Sequence, residues 1–287
     1  MQIQSNTNIS AIYYALLQCG YEYAAFERDA DHISAIGRFR DALPDADLGF
    51  FREVRQDTCE AYPYWPRAAA LETATHFLSP QAAGFNDFDA FRQRVMSASN
   101  ISDAERGDAF WAWVKGFPAA LAPILDSAPF QSYLHWQSQW LHQQGVALKA
   151  DLALVRSSLD IYARLYGAPI RQVCVILDPI KCVYASDYFL DGEAFYFSSG
   201  ALSAASLIHE LSHPLVHPQV AKHRDAILRL SAAYPGVDAS YYLSGNEEGR
   251  LNAFEEHMVR RLTQSVLAGL YPPSLEGYLD DILRDLA

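Results

Sequence analysis

The stretch Ser203-Ala204-Ala205-Ser206-Leu207-Ile208-His209-Glu210-Leu211-Ser212-His213-Pro214 decides how the rest of the chain is read. It carries one His-Glu-x-x-His pattern. On a helix, residues four apart lie one turn above each other on the same face, so His209 and His213 can direct both imidazoles at one cation. Glu210 sits about 100° round from His209, close enough to reach a water on that cation without being a ligand. Ala204, Leu207, Ile208 and Leu211 occupy the side away from the histidines, while Leu202, Ala205 and Ser206 flank them. A helix so nearly apolar all round is expected to be buried. Two histidines and a glutamate carried into a core without partners would be costly, and coordination to a cation satisfies all three. Pro214 lacks the N–H that would bond the Glu210 carbonyl, so the helix is expected to end or kink just after His213.

Upstream, Arg171-Gln172-Val173-Cys174-Val175-Ile176-Leu177 is β-branched and apolar on both faces, as a buried strand would be, and Asp178-Pro179 ends it. Residues 181–189 read as a second strand. Asp191-Gly192 then separates it from Glu193-Ala194-Phe195-Tyr196-Phe197, a tight-hairpin signal because both positions tolerate positive φ. A short antiparallel meander is thus expected ahead of the His209 helix, with Ser199 or Ser203 as its N-cap. Everything earlier reads as helical. Ile9, Ile12, Tyr13, Leu16 and Leu17 recur at helical spacing up to Gly20; Phe88, Phe91 and Val95 form a short face; Phe110, Trp111, Val114, Phe117 and Leu121 form another, disturbed by Pro118 and Pro123. Residues 129–167 are the most helical, with Leu152, Val155, Leu159 and Tyr162 in one stripe, and the aromatic spacing around Trp136 and Trp140 is that of a core. The expected class is α+β: predominantly helical, with the meander preceding a buried metal-motif helix. Two lobes are expected, a helical one over 1–165 and a metal-binding one over 166–287, packed as one unit.

With 287 residues, 51% hydrophobic and 20% charged, the chain can bury a substantial core. Its net charge of −12 argues against nucleic acid or an anionic membrane as partner, since phosphate would be repelled over most of the surface. The longest apolar runs, such as Ala11-Ile12-Tyr13-Tyr14-Ala15-Leu16-Leu17, fall well short of the ~20 residues that span a bilayer. The first charged side chain is Glu22, so the positive region of a secretory signal is missing and a cytoplasmic protein is expected. Cys19, Cys59, Cys174 and Cys182 form no CxxC pair and sit among apolar residues, which fits buried free thiols. Phosphate-loop, dinucleotide and serine-elbow motifs are all missing. Nothing in the residues encodes an oligomeric state.

A catalytic zinc site takes three protein ligands and an open position. A histidine six positions after His213 with a glycine three after would complete a three-histidine site, but those positions hold Gln219 and Val216. His217 lies one further turn on, beyond the expected break at Pro214, and His223 has less to recommend it. The remaining candidates lie on an amphipathic helix running through Leu251, Phe254, Met258, Val259, Leu262 and Val266. Glu255 falls near the middle of its apolar face and Glu256 on the flank, so geometry alone leans to Glu255.

The chain resembles an uncharacterised bacterial family of zinc peptidases in the gluzincin-like group. The resemblance rests on the helix ending in Cys19-Gly20-Tyr21, on His209-Glu210-Leu211-Ser212-His213-Pro214-Leu215-Val216-His217-Pro218, and on Glu256-His257-Met258-Val259-Arg260. It implies a zincin-like core in which the glutamate four before the arginine, Glu256, is the third ligand beside His209 and His213, with Glu255 as the alternative. The activity it implies is a zinc-dependent hydrolase acting on a peptide or protein. Glu210 would serve as general base, and Tyr241, Tyr242, His257 and Arg260 are the available donors to a developing oxyanion. The 193–197 strand could offer an edge to an extended peptide. The rival expectation is a non-catalytic protein that keeps the same residues as a structural or regulatory zinc site.

Overall fold

The computed structural model describes residues 1–21, 29–56, 66–78, 85–98, 103–183, 186–230, 234, 237 and 247–286. In chain order the elements are β1 (Gln2–Gln4), α1 (Thr7–Gln18), α2 (Ala30–Gly37), α3 (Gly49–Gln56), α4 (Pro66–Phe77), α5 (Phe88–Ala98), α6 (Asp103–Val114), α7 (Phe117–Asp126), α8 (Ala128–Ala147), α9 (Lys149–Tyr166), β2 (Gln172–Leu177), β3 (Asp187–Asp191), β4 (Ala194–Ser199), α10 (Ala204–Lys222), α11 (Arg224–Arg229), α12 (Glu247–Leu267) and α13 (Leu275–Leu286). The class is α+β, mostly helical. Two compact units divide the chain: Met1–Leu148 with Arg171–Leu202, and Lys149–Ile170 with Ser203–Ala287. The strands therefore group with the amino-terminal helices, a different grouping from a cut at 165/166.

In the first unit, α1 is buried along its whole length from Ile9 to Gln18, which is why its sequence is apolar almost all round. Asn6 caps it by accepting the Asn8 and Ile9 amides, and Gly20 at φ 86° ends it. Phe51, Phe117, Phe130 and Tyr133 close around it. The break at residues 115–116 separates α6 from α7, and Pro118 falls in the first turn of α7, where a missing N–H costs little. Trp136 and Trp140 pack among aromatic rings of this core.

The sheet has the order β1-β2-β4-β3 among the described residues. β1 and β4 both run parallel to β2, and only β3 is antiparallel to its neighbour. The expected antiparallel meander is corrected accordingly: β2 and β4 lie side by side in the same direction, with β3 on the far side. Residues 173–177 are buried on both faces, the property of a strand inside a parallel sheet. The second strand also starts later than expected, at Asp187, because Ile180, Lys181 and Cys182 belong to the buried connection that follows β2. The β3–β4 hairpin is present with Gly192 at φ 59°, and Asp191 pairs directly with Ala194. β4 is hydrogen-bonded on both sides, so the 193–197 segment presents no edge for a peptide. Cys19, Cys174 and Cys182 are buried, while Cys59 lies outside the described residues.

Beyond the carboxyl end of β2, two buried polar knots hold the connection. Asp178 accepts from the Tyr133 hydroxyl at 2.9 Å, from Gln137 Nε2 at 2.9 Å and from the Ile180 amide at 2.9 Å. Burial nevertheless lifts its carboxyl to about 6. Lys181, fully buried, donates to Glu72 at 2.7 Å and to Asp187 at 2.6 Å, and Tyr13 also donates to Glu72. Burial alone would pull the lysine down; the two carboxylates outweigh it and hold it charged.

In the second unit, α10 packs against α9, α11, α12 and α13. Ser203 and Ser206 form a reciprocal capping box, and the Asp151 carboxylate accepts the Ala204 amide at 2.9 Å. α10 does not stop at Pro214. It runs on through Pro218 to Lys222, because Leu215, Val216 and Val220 continue the buried face of Leu207, Ile208 and Leu211. Burial of each such side chain, at about 1.5–3 kcal/mol, offsets a helix-interior proline at about 3 kcal/mol. No helix among the described residues is long and apolar enough to cross a membrane.

Replacing Lys181 by methionine keeps its length but leaves two carboxylates facing each other around an apolar chain. The expected loss is about 3–5 kcal/mol of unfolding free energy, read from urea denaturation. A loss below about 1 kcal/mol would show that the pairing contributes little.

Candidate metal centre

The site is built from α10 and α12, both in the second unit. The four-residue spacing on α10 sets His209 and His213 one turn apart and edge to face, with ring centroids 5.0 Å apart and their Nε2 atoms 3.3 Å apart. From α12, Glu256 brings Oε2 to 3.5 Å from His209 Nε2 and 3.7 Å from His213 Nε2. Three donor atoms on a tetrahedral zinc, at bond lengths near 2.0–2.2 Å, would lie about 3.3–3.5 Å from one another. The triangle of 3.3, 3.5 and 3.7 Å is thus within a few tenths of an ångström of a ligand face. This is the group of side chains among the described residues that could hold a metal ion.

Both oxygens of Glu256 are engaged. Oε1 accepts from Arg260 Nε at 2.6 Å, one helical turn on, which turns Oε2 towards the histidines. Burial would raise this carboxyl, but His209, His213 and Arg260 outweigh it and hold it down at about 2. Glu255 takes the opposite edge of the histidine pair. Its Oε1 accepts from His213 Nδ1 at 2.8 Å and its Oε2 from His217 Nδ1 at 2.8 Å. Burial works against its charge, yet the two imidazoles keep it below the usual carboxylate range. An ionised carboxylate can only accept, so both Nδ1 atoms carry the proton in these bonds. In neutral His213 the lone pair then sits on Nε2, the atom facing His209 and Glu256. Burial lowers the pKa of His213, and Glu255, Glu210 and Glu256 together raise it above the ordinary histidine value.

The remaining expected residues are placed as follows. Glu210 is half-buried on α10, near enough for its charge to act on His213. His257 is buried on α12 with its ring stacked on Tyr234 at 5.9 Å. Arg260 spends its Nε on Glu256. Tyr241 and Tyr242 lie outside the described residues. His223 bonds the Gln219 carbonyl through Nδ1. Because α10 continues past Pro214, His217 does align with His209 and His213, but its Nδ1 is held by Glu255 and it is not among the three converging donors. Sequence reading missed the use of Arg260 and Glu255 as partners of the site; the four-residue spacing from Glu256 to Arg260 was the available signal for the first. Compared with protein-family models, with characterised proteins and with solved structures, the chain matches none.

The depressed Glu256 carboxyl makes a prediction for metal-free protein. A group whose folded pKa lies below its unfolded value, here about 2 against an ordinary 4.5, contributes stability above pH 4.5 that disappears as pH falls towards 2. Glu256→Gln should lower the unfolding free energy at neutral pH by up to about 3 kcal/mol and flatten acid unfolding between those limits. An unchanged acid profile in the variant would show that Glu256 is not paired in solution.

Proposed function

We propose that the chain is a zinc-dependent hydrolase, and within that class a peptidase with a zincin-like core of the gluzincin kind. The observation that carries the reading is the convergence of His209 Nε2, His213 Nε2 and Glu256 Oε2 on one point, with Glu210 one residue along from the first histidine. The donor chemistry fits zinc: two neutral imidazoles and one carboxylate are a borderline-soft set that leaves a coordination position for water.

Bound by these three residues, zinc would supply Lewis-acid chemistry, making water nucleophilic near neutral pH. The protein's own groups do the rest. Glu210, acceptor-only when ionised, takes the proton of the attacking water and hands it to the leaving amine. Arg260 holds Glu256 by one oxygen and so fixes which oxygen faces the histidines. His257 and Arg260, and Tyr242 on its segment before α12, are the groups proposed to stabilise the oxyanion.

Glu210→Gln separates catalysis from binding, since the amide cannot act as base and does not belong to the ligand set. With a mixed-sequence peptide library as substrate, hydrolysis should fall by about 10²–10⁴-fold while one zinc per chain is retained. Undiminished cleavage by the variant would overturn the proposed role of Glu210, and wild-type protein that holds one zinc yet cleaves nothing would favour a structural or regulatory centre.

A further inference from the structure

The geometry points to Glu255 as a positioning residue that locks His213 in its metal-binding tautomer, and to His217 as the group that locks Glu255. This rests on the zinc centre proposed above and assigns its outer contacts. Consecutive residues on a helix point about 100° apart, so Glu255 and Glu256 cannot serve the same atoms. Glu256 reaches the Nε2 edge of the histidine pair. Glu255 reaches the Nδ1 edge of His213, and its second oxygen spans one turn of α10 to His217.

The carboxylate is 8% exposed, and burial at that level demands donors for both oxygens. His217 is 56% exposed, so its own burial does not dictate where its ring points. The demand comes from Glu255. With both oxygens held at 2.8 Å, the Glu255 carboxylate has a fixed orientation, and the His213 ring is fixed with it. Metal-binding histidines generally donate their other ring N–H in this way, and losing such a partner weakens metal affinity by about 10–100-fold. His217 contributes nothing to the ligand triangle directly; its effect passes entirely through Glu255.

The test is a zinc titration of metal-free wild type, Glu255→Ala, Glu255→Gln, His217→Ala, the double variant Glu255→Ala/His217→Ala, and His209→Ala, with melting of each metal-free protein as a folding control. Glu255→Ala should bind one zinc about 10–100-fold more weakly. Glu255→Gln keeps an acceptor oxygen and should be affected less, and it carries the test if the alanine variant does not fold. His217→Ala should weaken binding by a smaller factor, and the double variant should bind no more weakly than Glu255→Ala alone. Long-range proton–nitrogen spectra of the zinc-loaded wild type should show His213 protonated at Nδ1 and metal-bound at Nε2. Wild-type affinity in Glu255→Ala, complete loss of zinc in it, additive loss in the double variant, or metal on Nδ1 of His213 would each overturn the assignment while leaving a zinc centre standing. Wild type that binds no zinc, or His209→Ala that binds it as tightly as wild type, would overturn the centre itself and this inference with it.

Discussion

A carboxylate removed from water must be met by donors, and that requirement shapes the second unit. Glu255 and Glu256 are both buried on α12, and each has its two oxygens engaged. Burial would otherwise push these groups up and neutralise them; the imidazoles and the Arg260 guanidinium reverse the direction. The constraint runs back to the backbone. α10 has to present imidazoles on three successive turns, and α12 has to bring two adjacent glutamates against them, so the register of the two helices follows from the charge pairing as well as from the apolar faces between them.

The first unit meets the same requirement with other partners. Lys181 lies between Glu72 and Asp187, and Asp178 is surrounded by a hydroxyl, a side-chain amide and a backbone amide. Lys181 there faces two carboxylates and Asp178 faces three donors. In the second unit, two Nε2 atoms face each other at 3.3 Å, with a carboxylate oxygen completing the triangle. The line between two ring nitrogens can carry one proton at most, so one of them donates and the other accepts.

Much of this was legible in the chain. The helical repeat of Ile9, Ile12, Tyr13, Leu16 and Leu17 announced α1, and the four-residue spacing of the histidines announced their common face, because both follow from the 3.6-residue repeat alone. The burial expected all round the Ser203-to-Pro214 stretch, by contrast, holds on one side only, with Ala205 exposed and His209, Glu210, His213 and Pro214 half-buried. The direction of strand pairing was not legible. Residues 173–177 reveal that both faces are covered but not which strand lies alongside, and the pairing of β2 with β4 skips the intervening β3. The choice between Glu255 and Glu256 was not legible either: a rotation of about 100° decides it, and that depends on how α12 is rolled against α10, which the apolar stripe defines only coarsely. Tertiary packing settles the roll and places each glutamate on a different edge of His213.

The continuation of α10 through two prolines follows from where they fall. Pro214 and Pro218 lie one and two turns beyond Glu210, so residues 210, 214 and 218 form a single stripe beside that of His209, His213 and His217. The amide donors missing at Pro214 and Pro218 are those that would have met the carbonyls of Glu210 and Pro214, both on this stripe. Its side chains are half-buried or exposed, whereas Leu207, Ile208, Leu211, Ser212, Leu215 and Val216 are buried on the opposite side. A ladder interrupted on a face that water reaches costs less than one interrupted in the core, because the carbonyls can be solvated. The helix therefore persists where a rule about single prolines ends it, and its persistence brings His217 into line with the other two histidines. The same stripe carries Glu210, which places the proposed base on the half-buried side of α10, where water can arrive.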